Sequence, residues 1–355
     1  MSDFSSENPI KPRLKENVDL TPYNTLGCRV TADHFLEITS PSQLIELFDI
    51  GLFRDHHPVI LGGGSNVLLK ENLNRPVLKI SIPGIEIVDE SETDVLLKVG
   101  AGVGWHELVK HCVENGFGGI ENLALIPGTT GAAPIQNIGA YGVEFESVME
   151  SLSAFNISSG EIETYTTEEC NFGYRDSIFK RELKEKVVIT DVTIRLTKKN
   201  HSINTKYYAL RDYMEKKGIQ NPGIADLFEA VVSIRRSKLP DPKLIGNAGS
   251  FFKNPIVDRV VFEKLQNNHA DMPFYELNAD SIKIPAGWLI EKAGWKGKIV
   301  GNVGTYENQA LVIVNHGGAT GDEIYRYAEN IQASVREKFG IELQPEVNII
   351  ENRDS

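Results

Sequence analysis

Residues 126–144 read IPGTTGAAPIQNIGAYGVE. Gly128, Gly131, Gly139 and Gly142, with Pro127 and Pro134, make this stretch too irregular for a helix and too long for a simple turn. Ile126, Ile135 and Ile138 make it too apolar for disorder. Long irregular loops of this kind in compact domains usually carry function. Two shorter glycine segments precede it. LGGGSNVLL at 61–69 follows the strand-like run Val59-Ile60-Leu61, and VGAGVG at 99–104 ends a second apolar run. Glycine after a strand lets the backbone approach a ligand, and successive N–H groups there can cradle a phosphate. Neither segment matches the dinucleotide fingerprint: after Gly62 and Gly64 the third position is Val67, and after Gly100 and Gly102 it is Trp105. The phosphate loop GxxxxGK[ST] is missing as well. Plain turns are the competing reading. Three such segments in quick succession favour a nucleotide-like ligand bound without either signature.

Around these loops the pattern mixes strands and helices. Residues 77–82 and 94–99 read as strands. Trp105, Leu108, Val109 and Cys112 fall on one helical face, which Asn115-Gly116 ends. Val188, Thr190, Val192, Ile194 and Leu196 alternate with Asp191, Thr193 and Arg195, as in a half-buried strand. Ser158-Ser159-Gly160 reads as a hairpin turn. Ile224, Leu227, Phe228 and Val231 mark a helix that must stop before Leu239-Pro240, since a residue preceding proline is driven out of the helical region. A last helix opens at Thr320 with Glu323 at capping-box spacing, burying Ile324, Tyr327, Ala328, Ile331 and Val335. In the closing segment Leu343, Val347 and Ile349 face one way, and Gln344, Glu346 and Asn348 the other. The first 20 residues read as loose and polar.

With 355 residues the chain has room for two or three domains. Its formal net charge of −12 argues against wrapping nucleic acid, while leaving room for a local basic pocket. Cys28, Cys112 and Cys170 form no CxxC pair, so neither a thiolate metal site nor a disulfide framework is expected. No signal peptide is legible, and no apolar run approaches the roughly 18 residues of a membrane span. A cytoplasmic protein without membrane or metal is the expectation. His56-His57 read as loop residues.

The glycine blocks, followed in order by NFGYRDSIFK (171–180), LPDPKLIGNAGSFFKNP (239–255), AGWLIEKAGWKG (286–297), NQALVIVN (308–315) and QPEV (344–347), resemble the UDP-N-acetylenolpyruvoylglucosamine reductase family over about residues 17–350. The insert around Tyr207 resembles the first of that family's two types, which has a substrate-covering loop. The resemblance implies an α+β protein. A two-lobed FAD-binding domain of the vanillyl-alcohol-oxidase type would span 17–239 (lobes about 17–83 and 84–239) after a flexible stretch at 1–16. A C-terminal α+β substrate-binding domain would span 240–340, and a tail at 341–355 would return to the first lobe. It also implies a monomer that makes UDP-N-acetylmuramate for peptidoglycan, and so serves the cell wall. NADPH reduces non-covalently bound FAD, and a hydride then passes to the β-carbon of UDP-N-acetylglucosamine enolpyruvate.

Residue roles follow from the same likeness. Ser250 matches the proton donor, although by composition alone it is an ordinary loop serine. Arg175 matches the carboxylate clamp, for which a planar fork is suited; a surface ion pair with Asp176 or a nearby acid is the plainer reading. Glu346 matches a glutamate acting on the developing enolate beside that arginine, where an anion would repel, so its protonation or its hydrogen bond to Arg175 must matter. Gly62, Gly63, Gly64, Ser65, Asn66, Gly128, Thr129, Gly131, Ala132, Ala133, Gln136, Asn137, Gly139 and Arg235 match the cofactor site. For Arg235 a solvated helix end is equally open. Tyr207, Lys238, Asn254 and Gln309 match the substrate's diphosphate neighbourhood, with Tyr208 a rival to Tyr207. Many relatives carry serines where this chain has Ala132 and Ala133, which leaves backbone N–H groups, with Thr129 and Thr130, to meet the cofactor. Gly131→Val is expected to release FAD by filling its space. Two other readings compete: an oxygen-using FAD oxidase on the same scaffold, and a binding module without catalysis.

Overall fold

The computed structural model describes residues 13–352. The chain forms two compact units. Among the described residues the first comprises 13–18, 32–64 and 73–237; the second comprises 19–31, 65–72 and 238–352.

The first unit holds two sheets. In the smaller, Val77–Ile80 lies between the strands Thr31–Ile38 and Val59–Leu61 and runs parallel to both, while Lys15–Asp19 flanks Thr31–Ile38. The helix Pro41–Asp49 buries Leu44 and Leu47 with Leu36, Ile38, Leu78 and Ile80. The larger sheet is antiparallel, in the order Ile162–Thr166, Met149–Asn156, Val187–Thr197, Asp94–Gly100, Ile85–Glu90. Its longest strand, Val187–Thr197, buries Val188, Thr190, Val192, Ile194 and Leu196, the alternation read from the sequence. The expected hairpin joins the first two strands at Ser158-Ser159-Gly160. The helices Trp105–Glu114 and Ile224–Lys238 complete this core with Trp105, Leu108, Val109, Cys112, Leu227, Ala230 and Val231.

The second unit carries the antiparallel sheet Gly246–Ser250, Val312–Asn315, Val303–Thr305, Ile299–Val300. The helix Gly321–Phe339 starts at a reciprocal capping box, with Thr320 and Glu323 each bonded to the other's backbone N–H, and buries the expected stripe from Ile324 to Val335. The closing alternation yields only the short strand Asn348–Ile350, parallel to Val67–Leu69. Ile349 is half-buried there, while Leu343 and Val347 are buried.

The loose-end reading of the first 20 residues falls mostly on 1–12, outside the described residues. Beyond them it fails: Lys15–Asp19 gains backbone partners as an edge strand, and Leu20 is fully buried. Polarity misled here, because an edge strand needs no apolar face.

Candidate active site

In the first unit the three glycine loops lie against one another. Trp105 N–H donates to Gly128 O at 3.0 Å, Thr130 N–H to Val103 O at 2.8 Å and Gly131 N–H to Ala101 O at 3.0 Å. A Cβ on Gly63 would stand 2.8 Å from Gly128 Cα, and one on Gly62 would stand 2.8 Å from Thr129 Oγ1. Glycine is therefore required at 62 and 63 because loop 61–64 abuts loop 128–131. Gly100 and Gly102 answer to a different neighbour: a Cβ on either would strike the backbone of residues 81–83. Their smallness serves the packing of chain on chain.

The loop's donors are more committed than its composition suggests. Ala132 N–H donates to Thr129 O and Ala133 N–H to Thr130 O, and the Thr130 hydroxyl donates to Val103 O at 3.0 Å. Each N–H from Thr130 to Ala133 thus has a backbone acceptor, Val103 and Ala101 for the first two and the local turn for the last two. Ala133 is buried in the apolar core, so a serine there would bury a hydroxyl rather than present it to a ligand. Asn137 is fully buried at φ 41°. Its amide donates toward Glu144 and Gly173 and accepts from Glu146 N–H, so its side chain fastens the loop. Gly131 faces Ala101, whose Cβ would be 2.5 Å from an added Cβ. A side chain at 131 would therefore meet the protein's own Ala101.

Arg175, Gly139, Arg235, Tyr141 and Tyr207 gather beside this loop. Arg175 has φ 54°, and its guanidinium donates to Gly139 O at 2.6 Å. The Asp176 carboxylate pairs with Arg181. Arg235 is half-buried, and its Nε donates to Leu125 O at 3.3 Å, so it is not a solvated helix end. Burial lowers its affinity for a proton, Tyr141 opposes that, and the nearby Arg175 charge adds to it. Two guanidiniums repelling each other in a partly desolvated place suit an anion. That donor set, with Gly139 O bonded within it, is of the chemistry that the phosphates of an FAD would need. Tyr207 packs edge-on against Tyr141 at 5.3 Å, whereas Tyr208 is 72% exposed, which separates the two tyrosines. Tyr141 was not singled out from the sequence; its place inside the AYG turn was the available signal.

The second unit brings Ser250, Glu346 and Asn66 together. Ser250 lies opposite Val312 in the sheet and follows Gly249 at φ 68°. The next residue, Phe251, accepts from Glu346 N–H at 2.8 Å, and Phe252 bridges Pro345. Asn66 Nδ2 donates to Glu346 O at 3.2 Å, and Asn348 N–H donates to Asn66 O at 3.0 Å. Ser65 is its half-buried neighbour. Asn254 accepts Ala286 N–H at 2.9 Å, and Gln309 Oε1 would be 3.2 Å from a Cβ on Gly287. Both thus stand at the start of the helix Ala286–Lys292. Lys238 is exposed at the end of its helix.

His56 and His57 are exposed, and no group of three or more His, Cys, Asp or Glu is placed to hold a metal among the described residues. No helix there is long and apolar enough to cross a membrane.

Two family models match the chain. The one described as UDP-N-acetylenolpyruvoylglucosamine reductase, C-terminal domain, covers residues 241–350, and the one described as FAD binding domain covers 32–166. A protein named UDP-N-acetylenolpyruvoylglucosamine reductase from Flavobacterium johnsoniae is 45% identical, and one of the same name from Amoebophilus asiaticus is 47% identical. Each alignment covers 95% of this chain and 99% of the relative. The crystal structure of UDP-N-acetylenolpyruvylglucosamine reductase from Thermus caldophilus shares the fold, with a TM-score of 0.68 at 23% identity over 96% of this chain and 100% of that one. Matched over 95% of its length by such relatives, and carrying matches to the family's C-terminal domain and to an FAD-binding domain, the chain belongs to the UDP-N-acetylenolpyruvoylglucosamine reductase family.

Proposed function

We propose that this chain reduces UDP-N-acetylglucosamine enolpyruvate to UDP-N-acetylmuramate with NADPH as reductant, in the cytoplasm and as a monomer. The FAD-binding part is assigned to 17–239 and the substrate-binding part to 240–340. The observation that carries the reading is the near full-length identity to relatives named for this reaction. A bound FAD would supply two-electron transfer chemistry between NADPH and the enol ether.

The chain's own residues do the rest. Arg175 is the carboxylate clamp: Gly139 O fixes its guanidinium, so little reorganisation is needed as charge develops on the substrate. Ser250 gives its proton to the α-carbon, held in line by the sheet to its neighbours. Glu346, placed beside Phe251 by its backbone, polarises the developing enolate. Arg235, Thr129 and Gln136 with the glycines hold the cofactor's phosphates, while Tyr207, Lys238, Asn254 and Gln309 hold the substrate's diphosphate.

An anaerobic titration followed by visible absorption tests this. The flavin band should bleach with NADPH and return when UDP-N-acetylglucosamine enolpyruvate is added. Bleaching without recovery would move the substrate elsewhere, and recovery only with oxygen would favour an oxidase. Ser250→Ala should still bleach, with recovery slowed by about 10²–10⁴-fold, the usual contribution of a positioned acid.

A further inference from the structure

His106 is the second residue of the helix Trp105–Glu114 and lies off its apolar stripe. Its Nδ1 accepts the Leu125 N–H at 3.0 Å. That geometry requires Nδ1 to be unprotonated, with the ring proton on Nε2. Leu125 has φ 57°, a conformation a leucine rarely adopts without being held. It is held on both sides, because Arg235 Nε donates to its carbonyl at 3.3 Å. Trp105 adds two ties next to this one: Nε1 to Leu123 O and N–H to Gly128 O, each at 3.0 Å. The chain from Leu123 to Gly128 is thus laced to the start of one helix, and Leu125 is the bend that aims it into the glycine loop.

We propose that His106 is a positioning residue for the flavin site: through Nδ1 it fixes Leu125 and so the path of loop 126–131, and protonation of its ring loosens the cofactor. The inference rests on reading that loop as part of the FAD site. A protonated ring would turn a donor toward the Leu125 N–H. It would also add a positive charge near Arg235, Arg236 and Lys110, with Glu107 opposing them. Phe228 stacks on the ring at 5.7 Å with planes 5° apart. Burial, with the three cations, holds the ring's pKa below its ordinary 6.5 against the pull of Glu107. The accepting form is therefore full above pH 6.5 and is lost as pH falls through the lowered value.

The test is FAD affinity of the full chain, stripped of flavin and reconstituted, from about pH 8 to about pH 5. In the wild type the dissociation constant should rise by up to about tenfold for each pH unit below the ring's pKa. His106→Asn places a non-titrating acceptor where Nδ1 was; it should bind well and lose this pH dependence. His106→Phe keeps the stacking on Phe228 but removes the acceptor; it should bind about tenfold more weakly at every pH, since the Leu125 donor is left unmet. If the Asn variant keeps the wild-type pH profile, or a folded Phe variant binds as the wild type does, the proposal is overturned. Amide shifts of Thr129 and Gly131 on adding FAD separate the two layers. Shifts there with an indifferent His106 series reject the role of His106 alone. No shifts would remove the loop from the flavin site, and this proposal with it.

Discussion

At the scale of single residues, the same residue type proves to do different work in neighbouring loops. Gly63 is small because another glycine lies across from it, Gly102 because the backbone of residues 81–83 does, and Gly131 because Ala101 does. Gly131→Ala therefore should lower stability by about 1–3 kcal/mol even without cofactor, as overpacking does. Urea unfolding of the flavin-free protein reads this directly; an unchanged midpoint with lost FAD would place the conflict with the cofactor instead. The cysteines make a second residue-scale prediction. Cys28, Cys112 and Cys170 are buried, and burial pushes each thiol up to about 12. Iodoacetamide at about pH 8 should leave the native protein unlabelled and modify all three thiols after denaturation. Rapid labelling of the native protein, seen by mass, would contradict that burial.

Elements were legible where local physics decides them. The helix Gly321–Phe339 carries its start in a reciprocal hydrogen-bond pair, its buried stripe in a helical period and its end in Gly340 at φ 68°. Thr320→Ala removes one half of the cap and should cost about 0.5–2 kcal/mol. The urea midpoint would then fall with an unchanged slope, whereas a changed slope would mean that more than the cap was lost. The strand Val187–Thr197 and the helix Trp105–Glu114 were equally readable, since one face of each is buried. Lys15–Asp19 was not, because an edge strand with little burial leaves no period. Nor was the wiring of residues 126–144. Their short turns are set by partners such as Val103, Ala101 and Asp176-adjacent Ser177, which donates to Ile135 O at 2.7 Å.

The whole molecule is divided in a way that sequence order does not announce. The second unit takes 19–31 and 65–72 as well as 238–352. Val67–Leu69 is the sheet partner of Asn348–Ile350, and Asn247 N–H donates to Thr25 O at 2.8 Å. A fragment of residues 238–355 should therefore lack partners for two of its segments and fail to unfold cooperatively. A sharp calorimetric transition from that fragment would refute this. By itself the sequence determined the family, the FAD-binding chemistry, the main helices and strands and the residue types at the candidate site, because motifs, periods and caps act over a few residues. Only the tertiary structure decided which glycines meet backbone, that the N–H groups at 130–133 are consumed, that Asn137 is a fastener, and that His106 grips Leu125. Those contacts join residues far apart along the chain, and a hydrogen bond or a close approach leaves no periodic trace in either partner's sequence.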